Sequence, residues 1–250
     1  MIPRMKFAHL PTAVEPLPRL SSHLGGPSIF VKRDDQTGLA MGGNKTRKLE
    51  FVIAEALANG ARTLISVGAA QSNHCRQTAA LAARVGMRCI LVLNGDPYQA
   101  PNGNLLLDQL FGAEIVWTNR EQRETVLQKT FDEAWAAGLR PFLVPLGAST
   151  PIGSLGYVDA FEEVMQQGVD ADWMIVASSS AGTQAGLALG AARAKWTGKV
   201  LGISIDQKAD ELKQAVAELA CQAAERLGEK INITPEDILV NDDYLGAGYG

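Results

Sequence analysis

The sequence predicts an α/β protein built of two interleaved three-layer α/β units with mostly parallel sheets, and three observations carry that reading. Short apolar, β-branched runs alternate along the whole chain with segments of helical period, the pattern of parallel strands covered by helices on both faces. The apolar share is an ordinary 46%, and 25 glycines supply the tight turns such a fold needs. A chain of 250 residues with no repeat, low-complexity stretch or linker can bury one large core or two smaller ones.

Residues 1–40 are punctuated by Pro11, Pro16, Pro18 and Pro27, with a short strand expected over 28–32. A helix starts at Asn44, where Leu49, Val52, Ile53, Ala56 and Leu57 mark one apolar face, and Asn59-Gly60 stops it. Strands follow at 63–67 and 88–93, separated by a helix that runs to about Val85. After a polar connection come a helix near 104–111, a strand at 114–117, and a helix with Leu127, Phe131, Ala134 and Trp135 on one face. A strand at 141–144, a loop at 146–151 and a helix near 154–166 complete this half. The second half reads as a strand at 173–177, a helix at 184–195, a strand at 200–205 and an amphipathic helix from about 209 to 227. The last residues, from Asp242 to Gly250, are rich in glycine and tyrosine where a helix or strand is expected to cover the sheet. The chain is therefore expected to be incomplete relative to its fold.

Composition removes several function classes. Net charge is −4 and no basic block occurs, so no nucleic-acid partner is expected. The N-terminus leads into no apolar h-region and no long apolar run occurs, so the expectation is a soluble cytoplasmic protein without membrane contact. Cys75, Cys89 and Cys221 form no CxxC, and His9, His23 and His74 are scattered, so no metal site is expected.

The stretch Met41-Gly42-Gly43-Asn44-Lys45-Thr46-Arg47-Lys48 organises the rest. Asn44 has the character of an N-cap, which places Lys45 in the first helical turn, where unpaired N–H groups disfavour an ammonium. Such a lysine suits use as an amine in a Schiff base with a carbonyl cofactor. A solvated lysine at a helix start fits the same spacing.

Two further strand-to-helix junctions carry chemistry. Ser178-Ser179-Ser180-Ala181-Gly182-Thr183 can cradle a phosphate with backbone N–H groups and hydroxyls, although it also fits a plain turn. Asp206 stands where a dinucleotide ribose ligand would, but the G-x-G-x-x-G fingerprint and the P-loop are both absent, which favours a phosphomonoester cup. Gln71-Ser72-Asn73-His74 suits a substrate carboxylate, or simple capping by Ser72 or Asn73; His74 is either a proton shuttle or a polar residue on the first turn.

Together, Val31-Lys32-Arg33-Asp34-Asp35, the Gly42–Glu50 stretch, Gln71-Ser72-Asn73-His74 with Arg76-Gln77-Thr78-Ala79, and Ser180-Ala181-Gly182-Thr183 resemble the D-cysteine desulfhydrase/1-aminocyclopropane-1-carboxylate deaminase family. The resemblance runs from about Phe7 to the end, in matching order. It implies pyridoxal 5'-phosphate as cofactor, the tryptophan-synthase-β-like fold (fold type II) and a homodimer. It also implies a smaller mobile domain at 48–156 and a larger cofactor domain formed by 1–47 with 157–250. By resemblance, Lys45 carries the cofactor and moves the substrate's α-proton, Asn73 bonds the ring hydroxyl, and Ser180, Ala181, Gly182 and Thr183 hold the phosphate. Ser72, Asn73 and His74 border the substrate carboxylate, Ser72 also serving proton transfer, and Tyr249 is the candidate active-site phenol.

The family usually has glycine where Ser179 stands, which re-aims the phosphate turn. Its members also continue past the Tyr-Gly element with a catalytic tyrosine and the partner of the pyridine nitrogen. The activity implied is α,β-elimination from a small sulfur amino acid: D-cysteine to pyruvate, hydrogen sulfide and ammonia. His74 favours that branch or an L-cysteate sulfo-lyase; the cyclopropane deaminases usually have glutamine there. A non-catalytic pyridoxal-phosphate binder is the reading from another class, and a nicotinamide dehydrogenase resting on Asp206 is the outsider.

Overall fold

The computed structural model describes residues 2–97 and 100–246; Tyr249 lies outside them. In chain order the elements are β1 (Val14–Pro16), α1 (Pro18–Leu24), β2 (Phe30–Lys32), α2 (Lys45–Ala58), β3 (Thr63–Ala69), α3 (Asn73–Val85), β4 (Arg88–Asn94) and α4 (Gly103–Leu110). They continue with β5 (Glu114–Thr118), α5 (Arg123–Ala136), β6 (Pro141–Val144), α6 (Pro151–Gln166), β7 (Trp173–Ser178), α7 (Gly182–Ala194), β8 (Lys199–Ser204), α8 (Ala209–Arg226) and β9 (Leu239–Asn241). Every helix and strand expected beyond residue 44 is present, with ends shifted by a few residues. The strand expected over 28–32 is β2; its hairpin partner β1, the helix α1 and the strand β9 are additional. Prolines hid the first two: Pro16 sits at the end of a three-residue strand, and Pro18 occupies the first helical turn, where a missing N–H costs nothing.

Two parallel sheets form the body, in the orders β5-β4-β3-β6 and β7-β8-β9. Alternation across the pleat divides the first sheet cleanly. Leu64, Leu91 and Leu93 face the main core with α2 and α3, whereas Ile65 and Ile90 face Ala134, Leu127 and Phe131 of α5. Trp135 departs from the face expected of it: it is 64% exposed and stacks on Phe131. In the second sheet, Met174 and Val176 pack toward Phe161, Leu187 and Trp196. The other side of the edge strand β7 carries Trp173 and Ile175, exposed at 47% and 66%.

Helix α6 lies against both α2 and α7 at backbone contact. A Cβ on Gly156 would stand 2.3 Å from the Arg47 carbonyl oxygen, and one on Gly186 would stand 2.2 Å from that of Ser154. The same joint holds a charged cluster. Arg47, fully buried, donates to Asp34 (2.9 Å) and to Glu163 (2.9 Å), and Tyr157 donates to Asp34 (2.7 Å). Burial works against the Glu163 carboxylate, but hydrogen bonds from Arg47 and Lys32 outweigh it and bring Glu163 down to about 2.

A depressed carboxylate stabilises the fold above its unfolded value and loses that contribution as pH falls through its folded one. The window here runs from the ordinary 4.5 down to about 2. Glu163→Gln is therefore expected to lower stability by roughly 3 kcal/mol or less at neutral pH, with the difference shrinking toward pH ~2. Urea melts of both proteins across that range check it; a pH-independent difference would contradict the ion-pair account.

Candidate active site

The strand order locates a crevice before any side chain is considered. From β3 the chain steps outward to β4 and β5, then returns to place β6 on the other side of β3. Ligands of open α/β sheets bind at such a reversal, outside the carboxyl ends of the strands. Beyond β3 comes Gln71-Ser72-Asn73, and beyond β6 the loop that carries Ser149.

At the start of α2, Asn44 is not the cap its type predicted. Its backbone is helical (φ −60°, ψ −24°) and its side chain bonds no helical N–H. Instead the Lys45 Nζ donates to Asn44 Oδ1 (3.1 Å), while Asn44 Nδ2 donates to Thr183 Oγ1 (3.4 Å). Two hydrogen bonds thus join the candidate amine to the serine-rich turn. Burial lowers the Lys45 pKa, as its placement led us to expect.

The turn itself could hold an anion. Helix α7 begins at Gly182 behind Ala181, whose φ is 64° and whose methyl side chain caps none of the first N–H groups. Ser149 Oγ accepts from Gly182 N (3.2 Å) and donates to Ser180 Oγ (2.8 Å). The residue that sequence reasoning missed is Lys48: fully buried, it donates from Nζ to Ser149 Oγ (3.2 Å). Among the described residues no carboxylate pairs with it. Burial, then the charge of Lys45, pushes its pKa well below the lysine range. A buried amine facing hydroxyls at a helix N-terminus has no counter-charge when it is protonated, and a phosphate could supply one. The signal was present: Lys45 and Lys48, three apart, share a helix face.

Ser179 does not join this cup. Its Oγ donates to Asp206 (2.7 Å) and its carbonyl accepts from Gln207, so Asp206 is engaged at the back of the turn.

Opposite stands the start of α3. Ser72 is its cap, accepting from Cys75 N (3.2 Å) and keeping its own proton to donate. Asn73 is exposed, and its Oδ1 accepts from Asn104 Nδ2 (3.0 Å). His74 turns inward. Ser66 Oγ donates to the Val144 carbonyl, so His74 Nε2 must donate to Ser66 Oγ (2.8 Å), which leaves Nδ1 as a buried lone pair without a partner. Burial and the charges of Lys45 and Lys48 bring His74 down to about 3, so it is neutral at neutral pH. The structure therefore unites Lys45, the Ser180-to-Thr183 turn and the α3 start around one crevice, with the His74 ring taken up by the sheet.

An amine hydrogen-bonded toward a serine-rich turn, at the switch point of a parallel sheet, could hold a phosphorylated carbonyl cofactor. The chain belongs to the pyridoxal-phosphate dependent enzymes, whose family model matches residues 5–250. It is 43% identical to the D-cysteine desulfhydrase of Klebsiella pneumoniae (strain 342), over 99% of this chain and 77% of that one. With that relative, it is a pyridoxal-phosphate dependent lyase. A solved ACC deaminase homologue superposes with a TM-score of 0.88 at 35% identity, covering 96% of this chain and 74% of the other. A solved threonine deaminase from T.th. shares the fold, with a TM-score of 0.60 at 21% identity, over 87% of this chain and 64% of its own.

No described helix is long and apolar enough to cross a membrane. No cluster of three metal-ligating side chains occurs among the described residues.

Proposed function

We propose that this lyase acts on D-cysteine, converting it with water to pyruvate, hydrogen sulfide and ammonia. The observation that carries the site assignment is the hydrogen-bonded path from Lys45 through Asn44 to Thr183. The 43% identity to a D-cysteine desulfhydrase supports the substrate. When bound, pyridoxal phosphate supplies the electron sink. The chain's own residues then position the reacting groups. Ser180, Ala181, Gly182, Thr183 and Lys48 would hold the phosphate, and Asn73 would meet the ring hydroxyl. Lys45 would take the α-proton, for which an amine with a burial-lowered pKa is suited. Ser72 and the first N–H groups of α3, at Asn73 and His74, meet the substrate carboxylate. Tyr249 keeps its proposed place as an active-site phenol.

Two other substrates stand beside D-cysteine: L-cysteate, and the cyclopropane amino acid, which the likeness to the ACC deaminase homologue favours. A pyruvate assay over D-cysteine and L-cysteate, with 2-oxobutyrate followed for the cyclopropane amino acid, tests the reading; D-cysteine is expected to give the highest kcat/KM. Turnover of the cyclopropane substrate alone overturns it. Cofactor absorbance without any turnover would establish a non-catalytic binder. The expectations of a cytoplasmic homodimer, and of a 48–156 unit that closes over substrate, go with this reading. Small-angle scattering with and without substrate checks mass and closure.

A further inference from the structure

Helix α2 begins beside the reactive amine without a cap of its own, and the missing acceptor comes from another helix. Gln77, fully buried on α3, accepts from Thr46 N (2.8 Å) and Thr46 Oγ1 (2.8 Å) through Oε1, and its Nε2 donates to the Asn73 carbonyl (3.0 Å). One amide therefore grips the residue after Lys45 with its oxygen and the start of α3 with its nitrogen. The chain makes room for it. Gly43 has φ +128°, and a Cβ there would stand 2.4 Å from Gln77 Nε2, so glycine permits the approach.

Asn44 is the residue this arrangement releases. A capping asparagine has extended backbone and points its oxygen at the first-turn N–H groups. Here Asn44 is helical, and its oxygen takes Lys45 while its nitrogen meets Thr183. One carbonyl oxygen seated on the helix's own N–H groups is lost to the amine. We propose that Gln77 is a positioning residue for Lys45: by capping α2 from α3, it reserves the Asn44 amide to bridge the amine and the phosphate turn. This rests on Lys45 being the cofactor-bearing amine.

The charged or titratable groups around that amine are Lys48 on its own helix and His74 on α3, each of which feels the charge of Lys45. An acceptor favours ammonium over amine, so removing it lowers the titration of Lys45. Gln77→Met keeps the volume and removes the acceptor. With the cap gone, Asn44 relaxes to an extended backbone and turns its oxygen to Thr46. Competitive acetylation of the cofactor-free chain, with mass spectrometry of the Lys45 peptide, reads that titration directly. Gln77→Met is expected to shift it downward by about one pH unit and to weaken pyridoxal-phosphate binding about tenfold, the scale of one hydrogen bond.

Coupling distinguishes positioning from mere packing. In an Asn44→Ala background the same change is expected to produce no further shift, whereas independent roles would add. Gln77→Glu, which retains the acceptor at a helix N-terminus, is expected to show no downward shift. Additive effects in the cycle, or an unmoved Lys45 titration in Gln77→Met, overturn the proposal. Should Gln77→Met fail to fold, Gln77→Leu decides: a downward shift that is absent in the Asn44→Ala background upholds the role, and an unmoved titration overturns it. Failure of the cofactor assignment itself would show separately, as absence of lysine–cofactor absorbance in the unsubstituted chain.

Discussion

Lys45→Ala is expected to lower pyruvate formation from D-cysteine by ~10³-fold or more, because one substitution removes both the proposed tether of the cofactor and the proposed base for the α-proton. The fold should survive. Lys45 stands at the first position of α2, partly exposed, and its described hydrogen bond is to its neighbour Asn44 rather than to a distant element. Alanine is a good helix former there. The burial that lowers the Lys45 pKa also makes the folded state less favourable while the amine is charged, so its loss carries no ionic penalty. Activity, the visible absorbance of the bound cofactor and the thermal midpoint should thus separate. Retention of activity within about tenfold would remove Lys45 from the chemistry. Loss of activity together with unfolding would leave a structural role.

The second large effect has two opposite signs. Lys48→Met is expected to stabilise the cofactor-free protein and at the same time to weaken pyridoxal-phosphate binding by ~10–100-fold, the range of a hydrogen bond to a charged group. Its amine is fully buried against a hydroxyl, and its pKa lies well below the usual 10.5 through burial and the nearby Lys45. For a lysine lowered on folding, the cost is present below the folded pKa and vanishes as pH rises through 10.5. Methionine has the length to fill the same channel and no charge to desolvate. The thermal midpoint of cofactor-free Lys48→Met should therefore lie above that of the parent at pH ~7, and the gap should close toward pH ~10.5. A lower midpoint at both pH values would mean that the amine is already satisfied in the empty fold. Unchanged cofactor affinity would place the phosphate elsewhere.

Much of this site was legible because its parts are local. A glycine-bearing loop running into a periodic helix puts Lys45 at a helix start whatever the rest of the chain does. Serines between a strand and a helix make an N–H-lined turn for the same reason. The alternation of strands and helices fixed the parallel sheets. What stayed hidden in the N-terminal part is also physical: three-residue strands such as Val14–Pro16 owe their existence to a partner, here Phe30–Lys32, and carry no period of their own.

The side-chain assignments went the other way, since a polar side chain chooses among partners that only packing brings near. Asn44 had the chemistry of a cap, yet Gln77 occupied that place from thirty-odd residues away, and Asn44 turned to the amine. His74 had the chemistry of a shuttle, yet its ring met Ser66 inside the sheet and is held neutral there. Trp135 shared a period with Phe131 and Ala134 but fell beyond the edge of the face they bury.

By itself, then, the sequence determined which backbone junctions exist and that each opens a helix, because those features depend on residues within a turn or two. Tertiary structure alone decided that three such junctions face one another, that Lys48 has no carboxylate beside it among the described residues, and which amide serves which donor. Those outcomes depend on the order in which strands join the sheet, and strand order is set by burial of side chains far apart along the chain.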